Sequence, residues 1–234
     1  MIRISAVVPT LNAAATLPRC LKALSEADEI IVSDGGSTDG TLAIAEASGA
    51  RVLTGPAGRG GQLARGAQAA CYEALLFVHG DTVLAAGAIT RARAHLERSS
   101  RPACFNLRLD APAWQARWIE RAVALRTRLF HLPYGDQGLV LRRELYLAAG
   151  GFRPLPLMED VDFVRRVRPV TLLPAEALTS AERWRRDGWL RRSARNLLCL
   201  GLWHAGVSPQ RVARLYGTPR PASPPGPDPS PQAE

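Results

Sequence analysis

The chain has 234 residues, 47% of them hydrophobic, and a net charge of +9 at neutral pH. This length suits one α/β domain, alone or with a small appendage, and no uncharged apolar run approaches the ~18–20 residues that a membrane-spanning helix needs. The only lysine is Lys22, which lacks the GK[ST] context of a P-loop, so that class of nucleotide site is excluded.

The positive charge is concentrated in the second part of the chain. Residues 1–100 contain nine basic and nine acidic side chains, whereas residues 101–234 contain 21 basic and 12 acidic ones. Basic surfaces attract phosphate groups, nucleic acids or anionic lipids. The second part is therefore the candidate for such contacts.

The N-terminal segment favours a cytoplasmic location, and the cysteines predict no disulfide or zinc site. Arg3 leads directly into an apolar run without a small-residue cleavage site, so we expect no signal peptide. The cysteines form no CxxC pair, which argues against a disulfide framework or a zinc site and predicts buried free thiols. They are Cys20, Cys71, Cys104 and Cys199.

Short apolar runs alternate with amphipathic segments over the first hundred residues. The predicted strands are Ile4–Val8, Glu29–Ser33, Arg51–Thr54 and Ala74–Val78. The predicted helices are a segment that Thr16 caps, Thr41–Ser48, Gln62–Tyr72 and Gly87–Arg98. This alternation is typical of βαβ units and predicts an α/β fold with a Rossmann-like, mostly parallel sheet covered by helices on both faces.

The second part of the chain has a less regular pattern. Strands are predicted at Cys104–Leu109, Leu139–Leu141 and Val170–Leu173. Helices are predicted at Trp114–Phe130, Met158–Val167, from Asp187 or Gly188 to His204, and from Ser208 to Tyr216. Residues 218–234 contain seven prolines and few apolar side chains, which predicts a disordered tail.

Polar residues follow three of the predicted strands. Residues 9–12 (PTLN) follow the first strand, residues 34–40 (DGGSTDG) the second and residues 79–82 (HGDT) the fourth. Ligands of open parallel sheets bind outside the carboxyl ends of the strands, so we expect Asp34 and Asp81 at one edge of the sheet.

Two of these segments contain acids that suit a nucleotide or a metal ion. A carboxylate at Asp34 can accept hydrogen bonds from a ribose or a base; the alternative is a polar turn that caps a helix. Asp81 is placed to hold Mg2+ or Mn2+ over a diphosphate, with His79 as a second ligand. The alternative here is a capping aspartate beside a structural histidine.

Three further segments carry weaker signals. The glycines around Arg59 precede a helix and could face phosphate. Residues 134–137 (YGDQ) precede a strand, and their role stays open. Glu159 and Asp160 open a helix, where acids serve either catalysis or the helix dipole.

Together these segments resemble glycosyltransferase family 2, inverting enzymes with the GT-A nucleotide-sugar fold. The order and spacing of the matching segments agree over about residues 4–217. Within the family the chain is similar to a bacterial branch associated with radical-SAM and selenium-domain proteins or with arsenosugar synthesis. The matching segments are 7–12 (VVPTLN), 33–41 (SDGGSTDGT), 58–67 (GRGGQLARGA), 77–81 (FVHGD), 134–138 (YGDQG), 150–152 (GGF) and 158–160 (MED).

The resemblance implies roles for individual residues. Asp81 corresponds to the last acid of the family's DxD motif and would hold the metal and diphosphate, with His79 in place of the first acid. Asp160 corresponds to the general base. Implied nucleotide-sugar-binding residues are Pro9, Thr10, Asn12, Asp34, Gly35, Ser37, Arg59, Gln62, Gly80 and Asp81. Acceptor-site candidates are Gly135, Asp136, Gln137, Glu159 and Trp184.

The resulting hypothesis is a metal-assisted, inverting transfer from a nucleoside-diphosphate sugar, UDP-linked, to an unidentified acceptor. Residues 1–217 would form one domain, with a nucleotide-binding half of about 1–100 and an acceptor half of about 101–217. One alternative is a sugar nucleotidyltransferase, although the expected lysine-bearing phosphate loop is missing. Another is a non-catalytic protein that binds nucleotide-sugar, lipid or nucleic acid on the same fold.

The C-terminal basic helix suggests one further partner. Its arginines are interleaved with Trp189, Trp203 and several leucines, which predicts peripheral contact with the inner face of the membrane. The alternative is a helix packed on the domain with its arginines in water. We expect no nucleic-acid partner.

Overall fold

A computed structural model describes residues 1–217, so the predicted tail at 218–234 lies outside the described residues. The strands are β1 (Ile4–Thr10), β2 (Glu29–Asp34), β3 (Arg51–Thr54), β4 (Ala74–Phe77), β5 (Thr82–Leu84), β6 (Ala103–Leu109), β7 (Leu139–Arg142) and β8 (Thr171–Thr179). The helices are α1 (Leu17–Ala23), α2 (Thr41–Ala47), α3 (Arg59–Ala69), α4 (Ala88–Arg98), α5 (Trp114–Phe130), α6 (Arg143–Ala148), α7 (Glu159–Val167), α8 (Glu182–Asp187), α9 (Trp189–His204) and α10 (Pro209–Tyr216).

The strands form a single sheet in the order β3-β2-β1-β4-β7-β6-β8-β5. The first four strands run parallel, with β1 between β2 and β4. β7 is antiparallel to both of its neighbours, β6 and β8 are parallel, and β5 closes the edge antiparallel to β8. The mixed sheet therefore continues from the first half of the chain into the second.

Helices cover both faces of the sheet, as the βαβ pattern predicts. Strand β1 is fully buried, and its side chains alternate between the two sides: Ile4, Ala6 and Val8 join one core cluster and Val7 joins the other. The first cluster includes side chains of α1, α2 and α4, and the second includes those of α3, α6 and α7. Continuous apolar strands are what burial on two faces requires.

Strand β8 extends beyond the predicted end at Leu173. The added part contains Pro174, and proline lacks the N–H that a strand ladder needs. The structure accommodates it at an irregularity in the register, where Cys104 pairs with Leu172 but Asn106 pairs with Glu176. The Asn106 amide donates to the carbonyl of Leu173 at 2.8 Å, which satisfies the interrupted backbone.

Several short elements were not predicted, and some boundaries moved. β5, α6 and α8 have three to six residues, too few for a period to be recognised. Helix α3 begins at Arg59 rather than Gln62. Thr16 does occupy the N-cap of α1, but its side chain makes no capping bond. All four cysteines are free, and Cys71 is exposed whereas a buried thiol was expected.

The C-terminal helices pack on the domain through two small clusters. Trp184 and Trp189 lie against α5 together with Leu107, Leu109 and Ala116. Trp203 packs between the second core cluster and a smaller one formed by Leu157, Cys199, Val212 and Ala213. The tryptophans of α9 are therefore turned toward the protein. Within residues 1–217, no helix is both long and apolar enough to span a bilayer.

Candidate active site

The carboxyl ends of β1, β2 and β4 meet at one edge of the sheet. Thr10, the last residue of β1, is in register with Asp34, the last residue of β2. Strand β4 lies on the other side of β1 and leads directly into His79 and Asp81. The strand order thus brings the three polar segments to the same edge.

Asp34 organises the loop that follows β2. Its Oδ1 accepts hydrogen bonds from the N–H groups of Gly36 and Ser37 at 2.8 and 2.7 Å. Its Oδ2 accepts from the hydroxyls of Thr10 and Ser37 at 2.9 and 2.5 Å. Burial raises the pKa of this carboxyl, but these hydrogen bonds outweigh it and hold the pKa below its ordinary value. The carboxylate is fully buried, so a nucleotide would meet the loop that it orders.

Neighbouring polar groups tie the first loop to the second. The Oδ1 atom of Asn12 accepts from the backbone N–H of Thr38 at 2.9 Å, and the Asn12 N–H donates to the Ser37 hydroxyl at 2.8 Å. Asn12 has a left-handed backbone conformation, with φ of 51°, which asparagine adopts more readily than most residues. Asn12 is exposed and Ser37 is partly exposed at this edge of the sheet.

Gln62 is turned inward, contrary to the nucleotide-facing role implied for it. Its Nε2 donates to the carbonyl oxygens of Thr10 and Ser33 at 2.6 and 2.8 Å, and its side chain is buried. Gly35 packs on this amide, and a Cβ there would lie 3.1 Å from Nε2. The residue closes the ends of β1 and β2 instead of contacting a ligand.

Arg59 and Glu159 form an ion pair that joins the first turns of α3 and α7. Glu159 was expected to contact the acceptor, but its carboxylate is buried and is not accessible to one. Burial raises the pKa of Glu159 more than the Arg59 charge lowers it. Burial in turn lowers the pKa of Arg59, but the charges of Glu159 and Asp160 raise it overall.

Asp160, Gly135 and His79 meet at one point. The backbone N–H of Gly135 donates to Oδ2 of Asp160 at 2.8 Å, and Oδ1 of Asp160 accepts from the N–H of Val161 at 2.8 Å. A Cβ on Gly135 would lie 2.5 Å from Nε2 of His79, so the imidazole packs directly on this glycine. The three residues line a mainly apolar cavity together with Leu63, Phe77, Tyr134, Phe152 and Val164.

Asp136 brings a second carboxylate close to Asp160. Its Oδ1 is buried and has no hydrogen-bond partner. Burial raises the pKa of Asp136 to about 6, and the charges of Asp160 and Asp81 add to the rise, although Arg126 and Arg59 oppose it.

The environment of His79 disfavours its protonated form. Burial lowers its pKa well below the ordinary value, and the charges of Arg59 and Arg183 lower it further. A neutral imidazole is the form that ligates metal ions. Arg183 was not among the predicted site residues, because it belongs to α8, a helix that the sequence did not reveal.

Two acceptor-site candidates have structural roles instead. Gln137 is fully buried, and its amide bonds Phe105, Arg126 and Thr127. Trp184 is buried in the cluster beneath α5, and its indole nitrogen has no hydrogen-bond partner. Of the predicted acceptor set, Gly135 and Asp136 lie close to Asp160 and have neither a fully buried side chain nor a structural bond in place of a ligand contact.

Sequence comparison assigns most of this sheet to one family model. The model for Glycosyl transferase family 2 matches residues 5–154. That match includes the loops that follow β1 and β2, the HGD segment at 79–81 and Asp136. Asp160 and Arg183 lie beyond its C-terminal end.

Solved structures with the same architecture include two bacterial proteins. S. aureus TarS, residues 1–349, superposes with a TM-score of 0.61 at 17% identity, over 93% of this chain and 70% of that one. Glucosyl-3-phosphoglycerate synthase from Mycobacterium tuberculosis, with Mn2+, uridine diphosphate and phosphoglyceric acid, gives 0.53 at 23% identity, over 73% and 68%. TarS 1–349 with UDP-GlcNAc gives 0.60 at 18% identity, over 92% and 70%. The chain shares their GT-A fold.

Proposed function

This chain belongs to glycosyltransferase family 2, and we propose that it moves a sugar from a UDP-linked donor to an acceptor with inversion at the anomeric carbon. Membership of the family makes it a glycosyltransferase that uses a nucleotide-sugar; the UDP, the inversion and the metal are the proposed parts. The complexes of TarS with UDP-GlcNAc and of the mycobacterial synthase with UDP support the choice of nucleotide. The branch associated with radical-SAM proteins stays a prediction and names no acceptor.

One contact carries the proposal. The Gly135 N–H bonds the Asp160 carboxylate while the His79 imidazole packs on the same glycine. The HGD segment after β4 and the acid at the start of α7 are therefore neighbours at the ligand-binding edge of the sheet. A base beside the diphosphate subsite is the arrangement that direct displacement at a sugar carbon needs.

On the donor side, the loop that Asp34 orders would hold the nucleoside. Asn12 and Ser37 offer accessible polar groups there, and Gly80 packs beside Thr10 at the end of β1. The cations of Arg59 and Arg183, both close enough to His79 to depress its pKa, would face the diphosphate. Their charges would stabilise the negative charge that develops on the leaving group.

The side chains present fit a divalent ion that binds together with the donor. No group of three or more potential ligands occurs among the described residues, so the protein alone supplies few. Mg2+ and Mn2+ are commonly held by one or two protein side chains plus phosphate oxygens of the substrate. Asp81 and neutral His79 could be those side chains. When bound, the ion would neutralise charge on the departing diphosphate.

Asp160 would act as the general base. The acceptor's nucleophilic atom forms its bond to the anomeric carbon as the bond to the diphosphate oxygen breaks, and the diphosphate leaves with the electron pair. The proton of the acceptor passes to the Asp160 carboxylate, which keeps free lone pairs beyond its two backbone bonds. Asp136, a partly exposed residue beside Asp160, would lie on the acceptor side of the site.

A thermal-shift screen of nucleotide-sugars with and without Mn2+ tests the proposal. A donor at 100 times its dissociation constant should stabilise the protein by about 2.7 kcal/mol. We expect a UDP-sugar with Mn2+ to give the shift, Mn2+ alone to give little, and UDP to be released on incubation.

Two variants sharpen the result. Asp81→Asn should abolish the Mn2+-dependent shift, whereas Asp28→Asn, at the opposite end of the strands beside Ile4, should keep it. Binding without any UDP release would favour the non-catalytic alternative, and pyrophosphate release from a nucleoside triphosphate would favour the nucleotidyltransferase. Normal binding and turnover in Asp81→Asn would refute the metal assignment.

A further inference from the structure

Helix α5 turns a row of large apolar side chains toward solvent. Trp114, Trp118, Leu125 and Leu129 have exposed fractions of 68%, 62%, 57% and 62%. Their spacings of four, seven and four residues place them within about 60° of one another around the helix. The row extends about 22 Å along the helix axis. We call these four residues the α5 row.

The charges on the same side of α5 are all positive. Arg121 and Arg128 are exposed beside the row, and neither has an ion-pair partner among residues 1–217. The only acid of the helix is Glu120, which is buried and paired with Arg108 and Arg117 on the inner side. The outer surface of the helix is thus apolar and cationic without a compensating carboxylate.

We propose that the α5 row docks on an anionic lipid bilayer. Tryptophan and leucine on one side of a helix, flanked by arginine, is the composition of helices that lie in the interface of a membrane. The indole ring suits that position because its body is apolar and its N–H can reach water or headgroups. The arginines would contact lipid phosphates. This inference does not depend on the proposed reaction.

The charge pattern disfavours a second copy of the chain as the occupant. A symmetric dimer brings the same surface of two protomers together. Arg121 and Arg128 would then face the same cationic surface of the other protomer, which offers no carboxylate of α5 to neutralise them. Anionic lipid supplies the opposite charge that this surface lacks.

Helix α9, which the sequence suggested for membrane contact, is less suited than α5. It exposes Leu190, Leu197 and Leu198, but its tryptophans pack toward the protein. Two of its arginines, Arg192 and Arg195, bind Asp187. Both side chains are therefore directed toward one carboxylate of the domain rather than toward a lipid surface.

Vesicle co-sedimentation with the full chain tests the proposal. At low salt the protein should bind vesicles of phosphatidylcholine with about one third phosphatidylglycerol, and should bind pure phosphatidylcholine weakly. Replacing Trp114 and Trp118 with glutamine should weaken binding about tenfold or more. Replacing Arg121 and Arg128 with glutamine should weaken it about 30-fold, because each basic residue near an anionic surface contributes about fivefold.

A matched variant and a second readout separate this surface from others. Leu197→Gln with Leu198→Gln, on α9, should bind like the unmodified chain. Brominated lipid should quench the tryptophan emission, and Trp114→Phe with Trp118→Phe should remove most of that quenching. Since all substituted side chains are exposed, unchanged circular dichroism should accompany every loss.

Three results would overturn the proposal. The first is absence of binding to the anionic vesicles at low salt. The second is equal loss of binding in the α9 variant, which would move the contact to α9. The third is a dimer in sedimentation velocity that the α5 substitutions dissociate, which would assign the row to a second copy.

Discussion

Replacing Asp160 with asparagine removes the charge of one carboxylate and keeps its shape. The carboxylate accepts two backbone N–H groups, from Gly135 and Val161. Asparagine offers one acceptor oxygen and an NH2 group, so one of these N–H donors loses its partner. The lost bond should lower the free energy of unfolding by about 1–2 kcal/mol. That is a small part of the ~5–15 kcal/mol typical of a folded domain, and the variant should fold.

The expected effect on catalysis is much larger. A positioned general base contributes about 10²–10⁴-fold, which corresponds to about 3–5 kcal/mol of the activation barrier. The alternative is that Asp160 only stabilises the first turn of α7 through the helix dipole. That interaction contributes about 0.3–1 kcal/mol to folding and nothing to the reaction. The two explanations therefore differ by at least two orders of magnitude in turnover.

Asp162 provides the matched control. It also lies near the start of α7, but its carboxylate binds Arg153 and Arg166 at 3.2 and 2.7 Å on another side of the helix. Asp162→Asn removes the same charge from the same helix and should cost about 0.5–1 kcal/mol of stability. Its turnover should stay within a few-fold of normal.

The assay is the initial rate of UDP release, with water as the acceptor until the natural one is known. For Asp160→Asn we expect kcat to fall at least a hundredfold while the thermal shift with donor and Mn2+ persists. Equal, near-normal rates in the two variants would end the base assignment and leave the dipole explanation.

Three further predictions follow from buried contacts. Gln62→Leu removes the amide hydrogen bonds to the Thr10 and Ser33 carbonyls, of which Thr10 keeps its bond from the Gly35 N–H, and should lower the unfolding free energy by about 1–3 kcal/mol. Gln68→Leu, exposed on the same helix, should change it by less than about 0.5 kcal/mol in urea titrations. Asp136 has a raised pKa in the folded state, so its ionisation destabilises the fold as pH rises from about 4 to 6. Without divalent ions, the difference in melting temperature between Asp136→Asn and the unmodified chain should therefore grow in favour of the variant from about pH 4 to about pH 7. A difference that stays constant with pH would contradict this. Gly135→Ala places a Cβ 2.5 Å from Nε2 of His79 and should lower the rate of UDP release about tenfold or more. Gly61→Ala, where a Cβ would meet open space, should leave the rate unchanged.

The regular part of the fold was predictable because its signals are local. Buried strands such as β1 and β4 are continuous apolar runs, and their helices show a clear period. The bend of β8 past Pro174 was not, because the bulge is stabilised by Asn106 on a neighbouring strand. Local sequence shows that a proline disfavours a strand but not that a distant amide repairs it.

The site was predictable as a set of segments and less so as a set of orientations. Motif order selected Asp81 and Asp160, and the strand order of the structure brings their segments together. Whether a polar side chain faces a ligand or the interior depends on neighbours far along the chain, as the inward amide of Gln62 illustrates. Arg183 was missed because local sequence does not show that the packing of α8 brings its charge near His79.

The smallest hydrophobic cluster connects helix α10 to the turn that precedes Asp160. Leu157 is buried with Cys199 and Val212, and it directly precedes Met158, whose φ of 64° is unusual for such a side chain. A backbone held in that region costs on the order of 1–3 kcal/mol and persists only while its surroundings enforce it. Local unfolding of α10 would remove one of those restraints and let the backbone of the turn before α7 change conformation. Amide exchange at the start of α7 should then accelerate when α10 is shortened, because Leu157 would lose its packing against Val212.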